Sequence, residues 1–551
     1  MTQTAAELFV KCLETEGVER IYGVPGEENA DFVLALDKSS IDLILTRHEQ
    51  GAAFMASTYG RLTGKVGVCL GTLGPGATNL MTGVADGNMD RAPLLVITGQ
   101  GATTRQHKES HQVMNVVDMF RPVTKWSQAV QSADSVPEIV AKAMKLARTE
   151  KPGAVHIELA ENIAAEKTGA TPLRPANPRR AVPDETIMDQ VWERIRRARS
   201  PLIIAGNGTI RTRASQQLRH FCDATNIGVL MSFMGKGAVD LDAEYCLFTI
   251  GMGQRDYPLL AVEAADLIIT LGFDMVEYPP SSWNGNGDTD IIHIDFLPAE
   301  VDADYMPEIE VVGDLAHALW MLNQRIKSDG APQFELAKQA SLRQTMLAEF
   351  AEHADDDTHG LIRPQKAVAD IRKVLGPDDI LLSGVGAHKM WIARHYHCHE
   401  PGTCIISNGF ASMGMPLPGA IAAAIACPER KILGVAGDGD FLMNVQEMET
   451  ARRLNSNITM LIWEDESYGL IEWKQQQEFG THTDLGFGNP DWMLLAQSFG
   501  WQGARCENAA DLLPTLQTAL DHKGPSLVVI PIDYRENMKL SQRLGEIDFS
   551  S

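Results

Sequence analysis

The sequence predicts an α/β protein built from three doubly wound, parallel-sheet domains. Short apolar runs of strand length alternate with helical patterns along the whole chain, which is typical of parallel sheets covered by helices. Two stretches rich in proline or charge, 166–185 and 326–364, interrupt this alternation and are interpreted as linkers. They divide the 551 residues into blocks at 1–165, 183–330 and 360–551, each the size of one such domain.

The individual elements follow from the apolar pattern in chain order. Residues 1–17 have the spacing of an amphipathic helix, without the basic segment and cleavage site of a secretory leader. The strands predicted from the apolar runs include Ile41–Leu45, Val66–Leu70, Leu94–Ile97, Leu202–Ala205, Leu267–Leu271, Ile291–Ile294, Ile432–Ala436 and Met460–Trp463. A polar helix is expected inside the second linker, and another helix is expected to begin at about Asn444.

Composition disfavours several classes of function. Acidic residues outnumber basic ones by 72 to 48, a net charge of −24, which argues against nucleic acid or an anionic membrane as a partner. No apolar run approaches the roughly 18 residues of a membrane-spanning helix. The eight cysteines are scattered without a C-x-x-C pair, as expected of reduced and mostly buried thiols. We therefore expect a soluble, cytoplasmic protein.

Acidic residues follow two neighbouring strands of the third block. The strand Ile432–Ala436 ends in the turn Gly437–Asp440 (G-D-G-D), and Asp465 follows the strand that ends at Trp463. Asp465 comes 27 residues after Asp438, the length of one crossover, so both carboxylates should reach the same sheet edge. Glycines let a phosphate approach the backbone, and paired carboxylates can bind Mg²⁺. The pattern predicts a phosphate and magnesium site, although an ordinary solvated acidic turn would have the same sequence features.

A glutamate at a helix start is the main catalytic candidate of the first block. The strand Ile41–Leu45 is followed by R-H-E-Q-G-A-A, in which Glu49 begins a helix among small residues and Phe54. Such packing would partly desolvate the carboxylate and raise its pKa, which suits a proton-transfer group. The other interpretation is a charge that merely complements the helix dipole. The turn G-T-L-G-P-G-A-T-N at 71–79 matches neither the dinucleotide nor the P-loop pattern, which disfavours dinucleotide or ATP binding.

Together these motifs resemble those of the acetolactate synthases, which are thiamine diphosphate (ThDP)-dependent enzymes. G-D-G followed one crossover later by an acidic strand end is similar to the family's ThDP and magnesium motif. R-H-E-Q-G-A, G-P-G-A-T-N and N-G-F-A-S-M-G (408–414) are similar to its glutamate segment, its pyrimidine loop and the segment before its cofactor-facing helix. The resemblance covers nearly the whole chain. It implies pyrimidine-binding, central and diphosphate-binding domains in that order, ThDP and Mg²⁺ as cofactors, and a homodimer or homotetramer with active sites at subunit interfaces.

The resemblance also implies roles for individual residues. Glu49 would bind the pyrimidine ring and promote loss of the cofactor's C2 proton. Met413 would lie beneath the cofactor, and Gln112 and Glu27 would face the substrate. The implied cation ligands are Asp438, Asp465 and Ser467. The other implied cofactor contacts are Pro25, Gly26, Thr72, Gly76, Asn79, Gly386, Ala387, His388, Asn408, Gly409, Ser412, Gly437, Gly439, Asp440, Tyr468, Gly469, Leu470 and Ile471.

The middle block differs from the flavin-containing members of the family. Those members have an R-F-D-D-R type segment, where this chain has L-G-F-D-M-V-E-Y-P at 271–279, without either arginine. V-E-Y-P and the later Trp283-Asn284 resemble the flavin-free, catabolic type instead. The turn Gly206-Asn207-Gly208 lacks a third glycine and is a weak nucleotide signal. FAD is therefore not expected.

Two fates are open to the two-carbon unit that remains after a 2-oxo acid loses CO₂. Its transfer to a second 2-oxo acid gives acetolactate, whereas its protonation releases an aldehyde. Ile471 stands where simple decarboxylases have a glutamate, and their paired histidines are absent, which favours the synthase. Glu27 matches an acidic residue of the decarboxylases and favours aldehyde release. We expect an acetolactate synthase acting on a pyruvate-like 2-oxo acid, with a simple decarboxylase as the alternative. A non-catalytic ThDP-binding relative and a flavin-dependent oxidase are the lesser alternatives.

Overall fold

Three six-stranded parallel sheets, each flanked by helices, form the computed structural model, which confirms the predicted α/β class. The structure describes residues 2–252, 256–285, 287, 289–537 and 540. Residues 541–551, which end the predicted third domain, lie outside the described residues. Among the described helices, none combines the length and apolar character needed to cross a membrane. All eight cysteines are free thiols.

The first sheet is formed by strands β1 to β6. Their bounds are β1 Arg20–Gly23, β2 Asp42–Leu45, β3 Gly67–Gly71, β4 Leu94–Gln100, β5 Trp126–Ala129 and β6 Ala154–Ala160. They lie side by side in the order β2-β1-β3-β4-β6-β5, so the strand order reverses between β1 and β3. The helices of this block are Ala5–Thr15, Ala30–Leu36, Glu49–Thr63, Pro75–Met89, Val116–Phe120, Val136–Arg148 and Glu161–Ala164.

The middle sheet has a different strand order. Its strands are β7 Pro201–Ala205, β8 Gly228–Met231, β9 Cys246–Thr249, β10 Leu267–Leu271, β11 Ile291–Asp295 and β12 Ile309–Val312. The order is β9-β8-β7-β10-β11-β12, with the reversal between β7 and β10, as in dinucleotide-binding domains. The helices around it are Glu185–Arg197, Asn207–Arg211, Ser215–Thr225, Leu259–Glu263, Leu315–Asp329 and Ala337–Ala351.

The third sheet repeats the connectivity of the first. Its strands are β13 Ile380–Ser383, β14 Cys404–Ile406, β15 Ile432–Gly437, β16 Thr459–Glu464, β17 Gln502–Arg505 and β18 Ser526–Pro531, in the order β14-β13-β15-β16-β18-β17. Its helices are Pro364–Val374, Ala387–His395, Pro416–Ala426, Asp438–Leu442, Glu447–Arg453, Gly469–Phe479, Trp492–Ser498 and Ala509–Asp521. Because ligands of such sheets bind where the strand order reverses, β13 and β15 end at the expected position of a site.

The predicted strands are all present, and β4 runs three residues further than predicted, to Gln100. The predicted helix start near Asn444 is wrong, since one helix already begins at Asp438 and the next begins at Glu447. Gly437 has extended backbone and puts Asp438 in the first helical turn, where a carboxylate complements the helix dipole. Sequence alone did not show that the G-D-G-D turn is itself the helix start.

The two predicted linkers differ in structure. Residues 166–185 contain only the short strand Lys167–Thr168, paired with Gln3–Thr4, before a helix begins at Glu185. The second linker contains the predicted polar helix, Ala337–Ala351. That helix packs on the middle domain, because the Arg343 guanidinium donates a hydrogen bond of 2.8 Å to the carbonyl of Cys246.

The first and third domains share a hydrophobic core. Helix Glu49–Thr63 packs along helix Pro416–Ala426, and residues of both sheets belong to the same buried cluster. A side chain at Gly419 would come within 3.0 Å of the Thr58 hydroxyl, so a glycine permits this close packing. The helix that begins at Glu49 is therefore held against the third domain of its own chain.

Candidate active site

A cavity opens at the switch point of the third sheet, beside the ends of β13 and β15. It is lined by Val385, Gly386, Ala387, His388, Met413, Gly437, Asp438, Gly439, Asp440, Asp465, Ser467, Tyr468, Gly469, Leu470, Ile471 and Tyr534. The structure thus brings together the cation ligands, the diphosphate residues and the methionine that the sequence predicted, apart from the 408–412 segment. Tyr534 was not predicted, because it lies far along the chain from every motif.

Asp438 is the centre of a hydrogen-bond network at the mouth of β15. Its Oδ2 accepts bonds from the backbone N–H of Glu466 at 2.7 Å and of Asp465 at 3.2 Å, and from the side-chain amide of Asn489 at 2.8 Å. Its Oδ1 accepts the N–H of Gly439 at 2.8 Å. The carboxylate is buried, and these donors hold it in one orientation.

Asp465 faces Asp438 and carries the clearest electrostatic signal of the site. Burial, followed by the like charge of Asp438, raises the pKa of Asp465 to about 8. Two carboxylates that oppose each other's ionisation at a sheet edge are a suitable oxygen-ligand pair for a hard divalent cation. Ser467 lines the same cavity, but its hydroxyl donates a 2.7 Å hydrogen bond to Glu472.

Close backbone packing shapes the rest of this cavity. A side chain at Gly384 would overlap Asp440, since its Cβ would lie 1.7 Å from the carboxylate Oδ2. His388 Nε2 lies 3.4 Å from that Oδ2, and neither buried atom makes a hydrogen bond within the described residues. Asp440 Oδ1 accepts the N–H of Gly414 at 2.5 Å, and Gly414 has φ +91°, a conformation that favours glycine. The loop that ends in Met413-Gly414 is thereby fixed to the turn of β15.

The segment before Met413 is held by the first domain and does not line the cavity. Asp90 accepts the backbone N–H of Gly409 at 2.8 Å and of Asn408 at 3.3 Å. Asp86 accepts the hydroxyl of Ser407 at 2.5 Å and the N–H of Ser412 at 3.4 Å. In this chain the predicted cofactor residues Asn408, Gly409 and Ser412 therefore hold the loop that presents Met413.

Glu49 lies at the corresponding edge of the first sheet and is 7% exposed. Its Oε2 accepts a hydrogen bond of 2.9 Å from the side-chain amide of Asn79, and a side chain at Gly76 would lie 3.3 Å from its Oε1. Thr72 packs against Gly26, which has no room for a side chain. The predicted pyrimidine residues thus form one cluster, separate from the lining of the third-domain cavity.

The two glutamates after Gly26 have different surroundings. Glu27 is exposed, whereas Glu28 accepts a 3.3 Å hydrogen bond from the Thr72 hydroxyl and lies 3.7 Å from Arg105. Pro25 is also exposed. Gln112 is exposed and has φ +58°, and its backbone lies against Gly74 at the pyrimidine loop.

Sequence reasoning missed two polar residues that organise the site. Asn489 binds Asp438, and its only sequence signal is an N-P turn, which predicts a loop and no function. Glu447 binds backbone of the first domain. A carboxylate whose partners lie in another domain gives no local pattern.

Comparison with protein families matches all three domains. Residues 3–119 match the N-terminal TPP binding domain of the thiamine pyrophosphate enzymes, 188–322 their central domain and 384–530 their C-terminal TPP binding domain. Fold and site together thus define the class as thiamine pyrophosphate enzymes.

Individual relatives narrow the class. The chain is 35% identical to the catabolic acetolactate synthase of Raoultella terrigena, over 98% of this chain and 97% of that protein. It is 32% identical to the acetolactate synthase of Bacillus subtilis (98% and 96%) and 30% identical to the acetolactate synthase isozyme 2 large subunit of Escherichia coli (97% and 96%). The chain belongs to the acetolactate synthase family.

Proposed function

We propose that this protein catalyses the ThDP- and Mg²⁺-dependent conversion of two pyruvate-like 2-oxo acids to an acetolactate and CO₂. The observation that carries the proposal is the pair of facing carboxylates, Asp438 and Asp465, in a glycine-lined cavity beside Met413. The Glu49–Asn79 pair at the matching edge of the first sheet supplies the second half of such a site. The relatives named acetolactate synthase, which this chain matches over nearly its full length, favour acetolactate as the product.

The residues of the third-domain cavity fit ThDP and a divalent cation. Asp438 and Asp465 would bind the cation together with the backbone carbonyl of Ser467, since the Ser467 hydroxyl is engaged by Glu472. The turn 386–388 and Gly439 would bind the diphosphate through backbone N–H groups. When bound, ThDP supplies the nucleophilic carbon that attacks the 2-oxo acid and the electron sink that permits loss of CO₂.

The protein's own residues would then control protons and orientation. Glu49 would exchange a proton with the pyrimidine ring nitrogen, in a cluster that excludes most water. Met413 would support the cofactor from below with an apolar surface. Asn79, which donates its amide to Glu49, would keep the carboxylate directed to one position.

Two observations favour transfer to a second 2-oxo acid over release of an aldehyde. Ile471 lines the cavity, whereas Glu472 is held by the Ser467 hydroxyl at 2.7 Å and the N–H of Leu485 at 3.0 Å. The position that carries an acid in simple decarboxylases is therefore apolar here. Glu27 is exposed, so its effect depends on what faces it in the assembled enzyme.

We propose that the enzyme is a homodimer or homotetramer with active sites between subunits. The cavity is lined entirely by third-domain residues, and Glu49 is not among them. Large side chains that line it are exposed, with Tyr468 at 43% and Ile471 at 50%. A second subunit that brings its first domain over this surface would bury them and complete the site.

We also propose that the middle domain binds no FAD. At its switch point the Glu277 carboxylate accepts the N–H of Asn207 at 3.1 Å and of Asp274 at 3.0 Å, together with the Ser232 hydroxyl. A nucleotide phosphate would need those same turn amides. The protein's own carboxylate occupies the place of that anion.

The decisive experiment is incubation of the purified protein with ThDP, Mg²⁺ and pyruvate, with acetolactate, acetoin and acetaldehyde resolved as products. We expect acetolactate as the main product and no flavin absorbance in the purified protein. Acetaldehyde as the sole product would identify the decarboxylase instead. Flavin absorbance, seen as a yellow colour, would show that the protein binds a flavin.

A further inference from the structure

Glu447 lies in the third domain, but its carboxylate binds the first. It begins helix Glu447–Arg453, the next helix after the one that starts at the G-D-G-D turn, and its side chain is fully buried. Oε1 accepts the backbone N–H of Arg47 at 3.1 Å and of His48 at 3.0 Å. Oε2 accepts a hydrogen bond from the Thr450 hydroxyl at 2.6 Å and a longer one from the backbone N–H of Arg47 at 3.3 Å.

These contacts fall directly before Glu49. His48 is the N-cap of helix Glu49–Thr63, and its ring Nδ1 accepts the N–H of Gln50 at 3.1 Å. On the other side of Glu49, a side chain at Gly51 would come within 2.7 Å of Glu447 Oε1. Glu447 therefore contacts the chain on both sides of Glu49, and Gly51 is the residue that leaves room for it.

A buried carboxylate is a costly way to connect two domains. Burial raises the pKa of Glu447, and within the described residues its oxygens accept hydrogen bonds from neutral N–H and O–H donors and from no cationic side chain. An apolar side chain would pack between the domains without this cost. The carboxylate also accepts directional hydrogen bonds from two successive backbone amides, which an apolar side chain cannot do.

We propose that Glu447 is a positioning residue for Glu49. By holding the Arg47 and His48 amides, it sets where the helix begins and thereby aims the Glu49 carboxylate at the cofactor's pyrimidine ring. This inference rests on the proposed function of Glu49. A misplacement of about 1 Å in a reacting group can cost about 10²-fold in rate. Loss of the hydrogen bonds to the Arg47 and His48 amides should therefore lower the rate measurably.

The test compares four variants of the full-length protein. Glu447→Gln keeps the length of the side chain, and its single carbonyl oxygen can still accept both amides. Glu447→Asp is one methylene too short to reach them, and Glu447→Ala removes the contact. Glu449→Gln is the matched control, because Glu449 lies on the same helix and pairs with Arg453 on its exposed side at 3.1 Å.

Two readouts are measured. In the protein without cofactor, hydrogen–deuterium exchange of the peptide spanning 43–52 should be faster for the Ala and Asp variants than for wild type, Gln and control. With ThDP and Mg²⁺ added, exchange of the cofactor's C2 proton should fall by about 10²-fold in Ala and less in Asp. It should stay within about 3-fold in Gln, and ThDP affinity should be nearly unchanged in all four, since the diphosphate residues are elsewhere.

Each alternative outcome is informative. A C2 exchange rate equal to that of wild type in the Ala or Asp variant would overturn the proposal. Equal losses of C2 exchange in the Gln and Ala variants would also overturn it, because the charge would then matter and the hydrogen bonds to the amides would not. If Ala does not fold, the Asp and Gln pair decides. A failure of the proposed function is separately visible, since Glu49→Gln would then leave C2 exchange intact while the backbone readout at 43–52 still reports on Glu447.

Discussion

The carboxylates of the candidate site have different surroundings, and those surroundings separate their proposed roles. Asp438 accepts hydrogen bonds from backbone and side-chain donors on several elements, so it is fixed in place. Asp465 opposes it as a like charge with a pKa raised to about 8. Glu49 accepts a side-chain hydrogen bond from Asn79 and is otherwise packed among small residues. The surroundings of Asp438 and Asp465 suit cation binding. The surroundings of Glu49, which accepts few hydrogen bonds, suit proton transfer.

The first prediction concerns Glu49. Glu49→Gln should preserve the fold, because glutamine can still bond to Asn79, but it should lower C2 proton exchange and turnover by about 10²-fold or more, since it cannot exchange a proton. NMR of the bound cofactor and steady-state kinetics measure both quantities. Unchanged turnover would remove Glu49 from the mechanism.

The second prediction concerns Glu27 and the fate of the two-carbon unit. Because Ile471 supplies an apolar cavity wall where simple decarboxylases have an acid, Glu27→Gln should leave the acetolactate-to-aldehyde ratio nearly unchanged. Product analysis on pyruvate and on a branched 2-oxo acid measures the ratio. Glu28→Gln is the matched neighbour, and it removes a charged acceptor from the Thr72 hydroxyl. Slower aldehyde release with more carboligation in Glu27→Gln would favour the decarboxylase instead.

At the scale of elements, the ends of strands and helices carry the chemistry. Each of the three sheets has a switch point between two strand ends. An open cavity lies there in the third domain, the Glu49 cluster lies there in the first domain, and the Glu277 carboxylate lies there in the middle domain. The same doubly wound architecture therefore offers three switch points, and local side chains decide which remain open.

Strand β6 provides a prediction about pH. Burial raises the pKa of Glu158 to about 7, against the hydrogen bond from Gln100 that lowers it. The native state therefore holds a proton that the unfolded chain releases above its ordinary pKa of 4.5. Stability from this group is complete below that value and is lost as pH rises to about 7.

Thermal unfolding of wild type and Glu158→Gln between those pH values is the measurement. The stability of wild type relative to the variant should fall as pH rises through the window. The exposed Glu138→Gln, in the same domain, is the control and should show no such trend. A constant difference between wild type and Glu158→Gln would show that Glu158 does not titrate as described.

At the scale of the whole molecule, each chain carries both halves of a site but does not join them. Glu49 and the cavity with Asp438 lie at the switch points of different domains, and those domains pack together through helices Glu49–Thr63 and Pro416–Ala426. A proposed second subunit would supply the missing half to each cavity. Under this proposal the oligomer is part of the active site.

Complementation of two inactive variants tests the arrangement. Glu49→Gln and Asp438→Ala should each be inactive alone, but co-expression should restore about a quarter of wild-type turnover, because half of the dimers are mixed and one site in each mixed dimer is intact. Copurification of two differently tagged chains measures the mixing. Mixed dimers without activity would mean that each site is formed within one chain.

Local pattern determined much of this protein. The alternation of apolar runs predicted strands whose bounds lie within one residue of those in the structure, except for β4, because burial on both faces of a parallel sheet demands continuous apolar runs. The G-D-G-D turn and Asp465 could be placed together from crossover length alone, and the structure has them facing each other. The roles of Glu49, Gln112, Glu27 and the cofactor residues remain predictions.

Contacts between distant parts of the chain were decided only by the tertiary structure. Glu447 meets Arg47 across 400 residues, and Asp90 meets Gly409 across 319. Glu277 fills a turn that belongs to a strand 70 residues earlier. A sequence motif reports the conformation and chemistry of a few neighbouring residues, whereas a buried carboxylate can take its hydrogen-bond donors from any backbone that packing brings near. The sequence therefore determined which residues could do the chemistry, and the packing of the first and third domains decided which residues hold them in place.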